Sequence, residues 1–191
     1  MNPESITEVI RNRRTVKPAQ MSGTRIDRAV LDQILCNANW APTHGMTQPW
    51  RFRVFENDSR ADLAKFLAAT YKSITPADSF KQAKYESFAV NPTLAGAVIA
   101  VGMKRQESGK ISELDEIMAV ACAVQNMHLT ARAYGLGGFW STNAAATSDQ
   151  MREFVGLGSQ DRALGLFYLG HINGQWPSST RSEIADKVTW A

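Results

Sequence analysis

The sequence predicts one domain that mixes α-helices with β-strands and that is not a simple doubly wound sheet. The chain of 191 residues is long enough for one sizeable hydrophobic core, and it contains no linker, repeat or low-complexity tract that would separate two domains. Segments with a helical period alternate with short apolar runs of strand length. The connection between the first two predicted strands, at 51–56 and 95–103, is far longer than one crossover helix needs. We therefore expect 1–191 to form a single domain, and this pattern alone leaves the strand directions open.

Two helices are predicted before the first strand. Ser5 and Glu8 have the spacing of a capping box, which predicts a helix that begins there and runs to about Arg13. Asp27 can cap a second helix, which is expected to end at the corner that Pro42 introduces. The apolar side chains that share one face of this second helix are Leu31, Ile34, Leu35 and Ala38.

A strand and a third helix are predicted next. Alternation at 51–56 predicts the strand, and Ser59 is placed to cap the helix that follows. The apolar side chains of that helix are Leu63, Phe66, Leu67 and Ala69. Across 73–91, Pro76 interrupts the pattern, and the composition of 80–88 favours a short helix.

Four further short elements, three strands and a helix, are predicted between 95 and 172. The run 95–103 is apolar throughout, and with Pro92 before it and two cations after it, it predicts a central strand. A second strand is predicted at 138–142 and a third at 163–172. Between them, Ser148 is placed to cap a short helix.

The longest helix is predicted to begin after Ser112 and to run to Tyr134, with Gly135 as its C-terminal cap. Every side chain from 117 to 124 is apolar, so this part of the helix has no polar face. We expect it to be buried on most sides, in the core or at a subunit interface. The tail 173–191 has two strand-like pieces at best and too few apolar residues to fold alone, so it is expected to pack against another surface.

Positive charge is concentrated near the N-terminus. Residues 1–60 hold nine lysines and arginines against six acids, whereas residues 61–191 hold twelve of each. The excess lies in the part of the chain that includes 11–17, and such a compact cluster is suited to a phosphate or another small anion. A nucleic-acid partner would require a broader basic face or a recognisable reading module, and the sequence has neither.

No membrane segment or targeting signal is indicated. The beginning of the chain has early acids, no apolar stretch and no small-residue cleavage site. The longest nearly apolar run, 94–103, is too short to span a bilayer. We therefore expect a cytoplasmic protein with no membrane partner.

The cysteines and histidines indicate neither a disulfide framework nor a metal site. Cys36 and Cys122 lie inside helical apolar patterns without Cys-x-x-Cys spacing, and we expect both to be buried thiols. The spacing of His44, His128 and His171 is not that of metal ligands.

Two polar segments interrupt the predicted scaffold. The first, 11–17, reads Arg-Asn-Arg-Arg-Thr-Val-Lys and ends the first helix with four cations and a hydroxyl group. The second, 41–52, reads Ala-Pro-Thr-His-Gly-Met-Thr-Gln-Pro-Trp-Arg-Phe and forms a corner between a helix and a strand. Loops of this kind carry binding chemistry more often than cores do, because a rigid scaffold holds them while their backbone N–H groups stay free.

These segments resemble the FMN-dependent nitroreductase family of oxidoreductases. The family typically has an Arg-x-Ser-x-Arg/Lys run after its first helix, and here 13–17 reads Arg-Arg-Thr-Val-Lys. It also has an Ala-Pro corner that ends in Gln/Asn-Pro-Trp-x-Phe, which matches 41–44 and 48–52. The glycine-rich run 135–140 and a basic C-terminal arm complete a likeness that spans essentially the whole chain and is closest to the compact branch of the family.

The resemblance implies a fold and an assembly. The implied fold is α+β, a three-layer α/β/α sandwich with a mostly antiparallel central sheet. The long helix would lie in a homodimer interface. The arm 173–191 would be exchanged with the partner subunit and add a strand to its sheet.

The resemblance also implies flavin contacts. Arg13, Thr15 and, less directly, Arg14 would contact FMN, and Lys17 would face the N1/O2 edge of its ring system. Pro42, Thr43 and His44 would reach the flavin of the other subunit. Contacts near flavin N5 would come from Trp140, Ser141 and Thr142, where small residues such as Gly137 and Gly138 could let the backbone approach the ring. Arg181 would bind the phosphate. Close relatives often carry a cation where Ser141 stands.

Each implied contact has a simpler alternative. The cations at 13–17 could stabilise the C-terminal end of a helix through its dipole. His44 could be an ordinary surface histidine, and Arg181 an exposed arginine of the tail.

The implied function is an oxidoreductase in which NADH or NADPH delivers hydride to flavin N5 and the reduced flavin passes electrons to a nitroaromatic, a quinone or a related small-molecule acceptor. The flavin carries the hydride, so no catalytic side chain is needed. Two alternatives remain at this stage: a flavin-dependent dehydrogenase or desaturase of a metabolite, and a non-catalytic flavin-binding sensor or storage protein.

Overall fold

The computed structural model describes residues 2–191 and contains a four-stranded sheet with the order β1-β2-β4-β3. The strands are β1 (Trp50–Phe55), β2 (Ala97–Met103), β3 (Leu136–Ser141) and β4 (Arg162–His171). All neighbouring strands are antiparallel. The predicted antiparallel sheet is therefore confirmed. The long connection between the first two strands is explained by two helices that lie between them in sequence.

The described helices are α1 (Pro3–Asn12), α2 (Arg28–Ala38), α3 (Ser59–Ile74), α4 (Gln82–Leu94), α5 (Glu113–Ala133) and α6 (Asp149–Phe154). Three short 3-10 turns lie at Pro18–Gln20, His44–Met46 and Ile184–Lys187.

The helices cover both faces of the sheet. On one face, α2 and α5 pack with Ile99 and Val101 of β2 in one core cluster. On the other face, α3, α4 and α6 pack with Val98 and Ala100 of the same strand in a second cluster. Strand β2 is thus buried on both sides, which is why its sequence is continuously apolar. The structure confirms the three-layer α/β/α sandwich of the α+β class.

One side of α5 is exposed in the single chain. Within 117–124, Ala119, Val120, Ala123 and Val124 are buried, whereas Met118 is 49% exposed and Cys122 is also exposed. Burial in the core is therefore confirmed for one face of this segment, and burial of the other face at a subunit interface stays a prediction. The expectation of buried thiols is wrong, because Cys36 is exposed as well. An apolar helix surface in the sequence does not distinguish core contacts within a chain from contacts between chains.

Three helix caps were predicted correctly. Asp27, Ser112 and Ser148 each accept a hydrogen bond from a backbone N–H in the first turn of α2, α5 and α6, respectively. These positions combine a short polar side chain with an extended entry to the helix, and this local arrangement is readable from sequence.

The other two predicted caps are wrong. Asn2 caps α1, with its Oδ1 atom 3.0 Å from the backbone nitrogen of Glu4, so the helix begins before Ser5. Ser59 is the first residue of α3, and its hydroxyl instead binds the backbone of Glu56. Pro92 lies inside the last turn of α4 and does not precede the strand as a separate break.

The tail 173–191 forms no strand in the described chain, contrary to the strand-like pieces suggested by its sequence. It contains the turn Ile184–Lys187, and apart from Trp176 and Pro177 its residues are exposed. Exchange of this arm with a partner subunit stays a prediction.

Candidate functional site

Four arginines from two distant parts of the sequence form one cluster. Arg11, Arg13 and Arg14 end α1, and Arg181 of the tail joins them around a cavity of about 220 Å³. Ile10 and Ser179 complete the lining of this cavity. Partial burial and the nearby charges of Arg181 and Arg14 lower the pKa of Arg13. We call these four residues the arginine cluster.

No carboxylate balances the arginine cluster within residues 2–191, where none of its members forms an ion pair. Arg14 Nη1 donates to the carbonyl oxygens of Arg11 and Arg13 at 2.6 and 2.9 Å. Its Nε atom is buried without a hydrogen-bond partner. Arg181 Nη1 donates to Ser179 Oγ at 2.6 Å. Uncompensated guanidinium groups around a cavity are suited to a phosphate, which accepts several charge-assisted hydrogen bonds.

Thr15 lies beside β3, so the segment 11–17 is next to the glycine-rich run 135–140. It pairs in parallel with Gly138, and the backbone nitrogen of Val16 donates to the Gly138 oxygen at 3.0 Å. A Cβ atom on Gly137 would lie 2.7 Å from Val16 Cβ, and one on Gly138 would lie 3.1 Å from His128 Nδ1. These glycines therefore serve close packing, whereas the sequence suggested that they open the backbone to a ring.

The other predicted flavin contacts near β3 are Trp140, Ser141, Thr142 and Lys17. Trp140 Nε1 donates to the Leu164 oxygen at 3.0 Å, so the indole N–H already has a partner within the sheet. Ser141 Oγ accepts from Asn143 Nδ2 at 2.9 Å. Thr142 and Lys17 are exposed.

The corner 41–52 carries backbone strain. Met46 and Gln48 have φ values of 55° and 44°, which non-glycine residues rarely adopt. Thr43 holds this conformation, because its Oγ1 atom accepts from the backbone nitrogen of Gln48 at 3.2 Å and lies 3.1 Å from Thr47 Oγ1. Strain that the surrounding structure maintains is typical of functional sites.

A cavity of about 590 Å³ lies beside the corner. Its lining consists of Asn39, Trp40, Ala41, Pro42, Thr43, Met46 and Gln48. Trp50 is buried and donates from Nε1 to Oδ1 of the lining residue Asn39 at 2.9 Å, which holds the Asn39 side chain in place. Trp40 and Met46 are 82% and 74% exposed, so the cavity has a large apolar rim.

The two halves of the predicted site lie at opposite ends of α5. His44 Nδ1 is 3.3 Å from Asp115 Oδ2 in the first turn of this helix. Arg13 lies near His128, close enough for its charge to act on the histidine. Thirteen residues at 1.5 Å each separate Asp115 from His128, which corresponds to roughly 20 Å along the helix axis. Within one chain, His44 and Arg13 therefore do not contact the same group of a ligand.

His128 is a site residue that the sequence reasoning missed. It is 9% exposed, its Nδ1 atom has no hydrogen-bond partner, and its ring stands edge-on to Phe167 at 4.6 Å. Burial, with a smaller contribution from the charge of Arg13, lowers its pKa to about 4. Its spacing from Val124 on the buried face of α5 is the signal that predicts burial, but no motif marks it.

The buried neutral His128 predicts a pH dependence of stability. Its folded-state pKa lies below the unfolded value near 6.5, so the unfolded chain binds the extra proton and stability is lost as the pH falls from 6.5 towards 4. Between pH 7 and pH 5 this histidine should remove about 2 kcal/mol from the free energy of unfolding. Urea unfolding of the wild type and of His128→Met at both pH values measures the difference, which the variant should lack. The exposed His171 provides the control, because His171→Gln should keep the wild-type dependence.

Within residues 2–191, no helix is long and apolar enough to cross a membrane. No group of three or more histidine, cysteine or acidic side chains is placed there to hold a metal ion.

The three-layer sandwich with its antiparallel sheet is a nitroreductase-like fold, and the arginine cluster lies near the end of its long helix. The model of the nitroreductase family matches residues 10–171, and the chain belongs to this family.

Curated relatives agree with this assignment. The chain is 33% identical over 156 residues to the Escherichia coli K12 protein named "Putative NAD(P)H nitroreductase YdjA", and the match covers 82% of each chain. It is 23% identical over 185 residues to "Putative NAD(P)H nitroreductase YfhC" of Bacillus subtilis, which covers 96% of this chain and 93% of the relative.

Solved structures show the same fold at low sequence identity. A nitroreductase-like family protein from Bacillus cereus superposes with a TM-score of 0.82 at 22% identity, covering 100% of this chain and 98% of the other. The nitroreductase NfnB of Mycobacterium smegmatis, solved with NADPH, gives a TM-score of 0.76 at 14% identity and covers all of both chains. A Desulfovibrio desulfuricans protein solved with FMN gives 0.74 at 24% identity, covering 100% of this chain and 98% of the other.

Proposed function

We propose that this protein is an FMN-dependent oxidoreductase that uses NAD(P)H to reduce nitroaromatics, quinones or related small acceptors. The observation that carries the proposal is the arginine cluster, which gathers four cations and no acid around a cavity beside β3. Membership of the nitroreductase family and the names of the curated relatives support the same class of enzyme.

The residues present fit FMN. Arg13, Arg14 and Arg181 would hold its phosphate, since the buried Arg14 Nε atom lacks a partner and the cavity lining contains no competing carboxylate. Thr15 offers a hydroxyl group beside β3, and the exposed Lys17 offers a cation two residues further along. When bound, FMN supplies the hydride chemistry. The chain supplies binding, orientation and a positive electrostatic potential.

The same proposal places a homodimer around the cofactor. His44, which shares the strained corner with Pro42 and Thr43, lies roughly 20 Å along α5 from Arg13, so the corner of a second copy is the better placed to approach a flavin held by the arginine cluster. The exposed side of α5, with Leu114 at 63% and Met118 at 49%, is an apolar surface that a second copy would cover.

Exposed apolar residues at both ends of α5 support two-fold packing. Leu114 and Met46 lie at its first end, where His44 contacts Asp115. Ile6 and Ile10 of α1 are 54% and 49% exposed near its other end. In an antiparallel two-fold arrangement the first end of one copy meets the second end of the other.

The dimer proposal gives a mass and a variant to test. Light scattering should give twice the chain mass for the wild type, and Met118→Glu should shift the protein towards monomer, because an unpaired charge would be buried at the interface. Val90 on α4 is similarly exposed at 47% but lies on the other side of the sheet, so Val90→Glu should stay dimeric. A stable wild-type monomer that retains FMN contradicts the proposal.

The tail is proposed to pack against the partner subunit. Val188 and Trp190 are exposed in the single chain, at 40% and 91%, and exchange of the tail with the partner subunit would cover them and add a strand to that subunit's sheet. The chain 1–191 would act as one FMN-binding domain with 173–191 as its arm. A cytoplasmic location follows from the proposed use of NAD(P)H as electron donor.

One experiment tests the proposed function directly. The purified protein should be yellow, and under anaerobic conditions NADH or NADPH should bleach the flavin absorbance within seconds. An acceptor panel added to the reduced protein should restore the absorbance fastest with the preferred class of acceptor. A protein that binds FMN but is not bleached by either nucleotide would be a sensor or storage protein, and a colourless protein that binds no added FMN would refute the assignment.

A further inference from the structure

The C-terminal arm is attached to the body of its own chain at one side chain. Within 173–191, Trp176 and the adjoining Pro177 are half-buried, whereas the other residues are exposed. The indole of Trp176 packs at the edge of the core cluster that contains Val16 and Met21. The guanidinium carbon of Arg132, in the last turn of α5, lies 4.1 Å from the centre of that ring, within the range of a cation–π contact.

After Trp176, no residue of the arm forms a hydrogen bond to the body of the described chain. The hydrogen bonds that Ser179, Arg181 and Lys187 make all lie within the arm. Arg181 nevertheless stands in the arginine cluster, where Arg11, Arg13 and Arg14 repel it and no acid offsets the repulsion. Something other than electrostatics must therefore keep Arg181 there before an anion binds.

The sequence around Trp176 is suited to that task. Arg181 is five positions after Trp176 in the sequence, so their Cα atoms are at most about 18 Å apart in an extended chain. Pro177 fixes its own φ angle and restricts Trp176 to extended conformations, so the chain leaves the anchor in a defined direction. Without the anchor, the nearest attachment is the bond from the Asn173 nitrogen to the Gln20 oxygen, three residues earlier.

We propose that the Arg132–Trp176 contact is a latch that positions Arg181 in the arginine cluster of its own chain, so that the arm contributes to the anion site before the ligand arrives. Only the part of the arm beyond Arg181, which includes Val188 and Trp190, would then extend to the partner subunit. The inference rests on the proposed function in that the anion is the phosphate of FMN. Trp176 and Arg132 are positioning residues, because they act on the site through Arg181.

A double-mutant cycle distinguishes the loss of Arg181 positioning from a general loss of structure in the variant. In the full-length apoprotein, Trp176→Leu should raise the FMN dissociation constant roughly threefold to thirtyfold, the range expected from losing one cation–π contact. In the Arg181→Ala background the same substitution should change it by less than about twofold, because no Arg181 is left to position. Trp176→Phe keeps an aromatic face and should restore most of the affinity, and Arg132→Lys should do so where Arg132→Leu does not.

Arg25→Leu is the matched control for Arg132→Leu, since Arg25 is an exposed arginine outside the arginine cluster. It should leave the FMN dissociation constant unchanged. Equal losses from Trp176→Leu in both backgrounds, or no loss in either, would overturn the latch.

Limited trypsin digestion of the apoprotein tests the latch without FMN. Cleavage after Arg181 should be faster in Trp176→Leu than in the wild type, while cleavage after the exposed Arg25 stays unchanged. This result supports the latch even when the wild type fails to bind FMN, an outcome that would refute the proposed function alone. Identical rates of cleavage after Arg181 in both proteins refute the latch alone.

Discussion

The Arg181→Ala variant is expected to bind FMN roughly ten- to a hundredfold more weakly than the wild type, the range for one charge-assisted hydrogen bond of about 1.5–3 kcal/mol. The structure brings Arg181 to Arg13 and Arg14 across most of the length of the chain, and its guanidinium group meets no acid in the described residues. The charge of a phosphate is the same in the oxidised and the reduced cofactor. The reduction potential of the bound flavin should therefore change little.

Fluorescence titration of the apoprotein with FMN measures the dissociation constant, and a spectroscopic redox titration measures the potential. Arg25→Ala is the matched control, because Arg25 is an exposed arginine outside the arginine cluster. Higher salt should weaken binding to the wild type more than to Arg181→Ala. An Arg181→Ala variant that binds FMN as tightly as the wild type would return Arg181 to the alternative of an ordinary tail residue.

Lys17→Ala is expected to show the opposite pattern, with a reduction potential lower by roughly 30–65 mV and a nearly unchanged affinity for oxidised FMN. Lys17 is exposed and follows Thr15, whose backbone pairs with β3. We propose that its cation faces the N1/O2 edge, where reduced flavin carries negative charge. The loss of such a contact of about 1.5–3 kcal/mol penalises the reduced state, and for two electrons about 30 mV corresponds to 1.4 kcal/mol.

The redox titration decides this prediction, and Lys17→Arg tests whether the charge itself matters, since it keeps the cation and should keep most of the potential. An unchanged potential in Lys17→Ala would mean that Lys17 only stabilises the chain near the end of α1. The flavoprotein assignment would survive that result, because it depends on the arginine cluster.

The order of the elements was predictable because the signals that encode it are local. A cap such as Asp27 or Ser148 acts on the first turn of its own helix, and the apolar run of β2 reports burial on both faces of the sheet. The same locality explains the errors. Asn2 could replace Ser5 as the cap of α1, because neighbouring short polar residues compete for the same role.

The candidate site was predictable in its parts and not in its arrangement. The sequence marked 13–17 and 41–52 through their residue types, and the structure shows an arginine cluster at the first and backbone strain at the second. It did not mark His128, whose low pKa arises from burial against Phe167 and from the charge of Arg13. Trp176 was missed for a similar reason, since its partner Arg132 lies far away in sequence.

The sequence by itself determined the order of most helices and strands, marked the two polar segments 11–17 and 41–52, and indicated that 117–124 of the long helix has no polar face. The tertiary structure decided that Arg181 meets Arg13, that His44 lies at the opposite end of α5, and that Cys36 and Cys122 are exposed. The physical reason is range. Periodicity and capping depend on residues within a few positions of each other, whereas burial, charge repulsion and cavities depend on which distant segments the fold brings together.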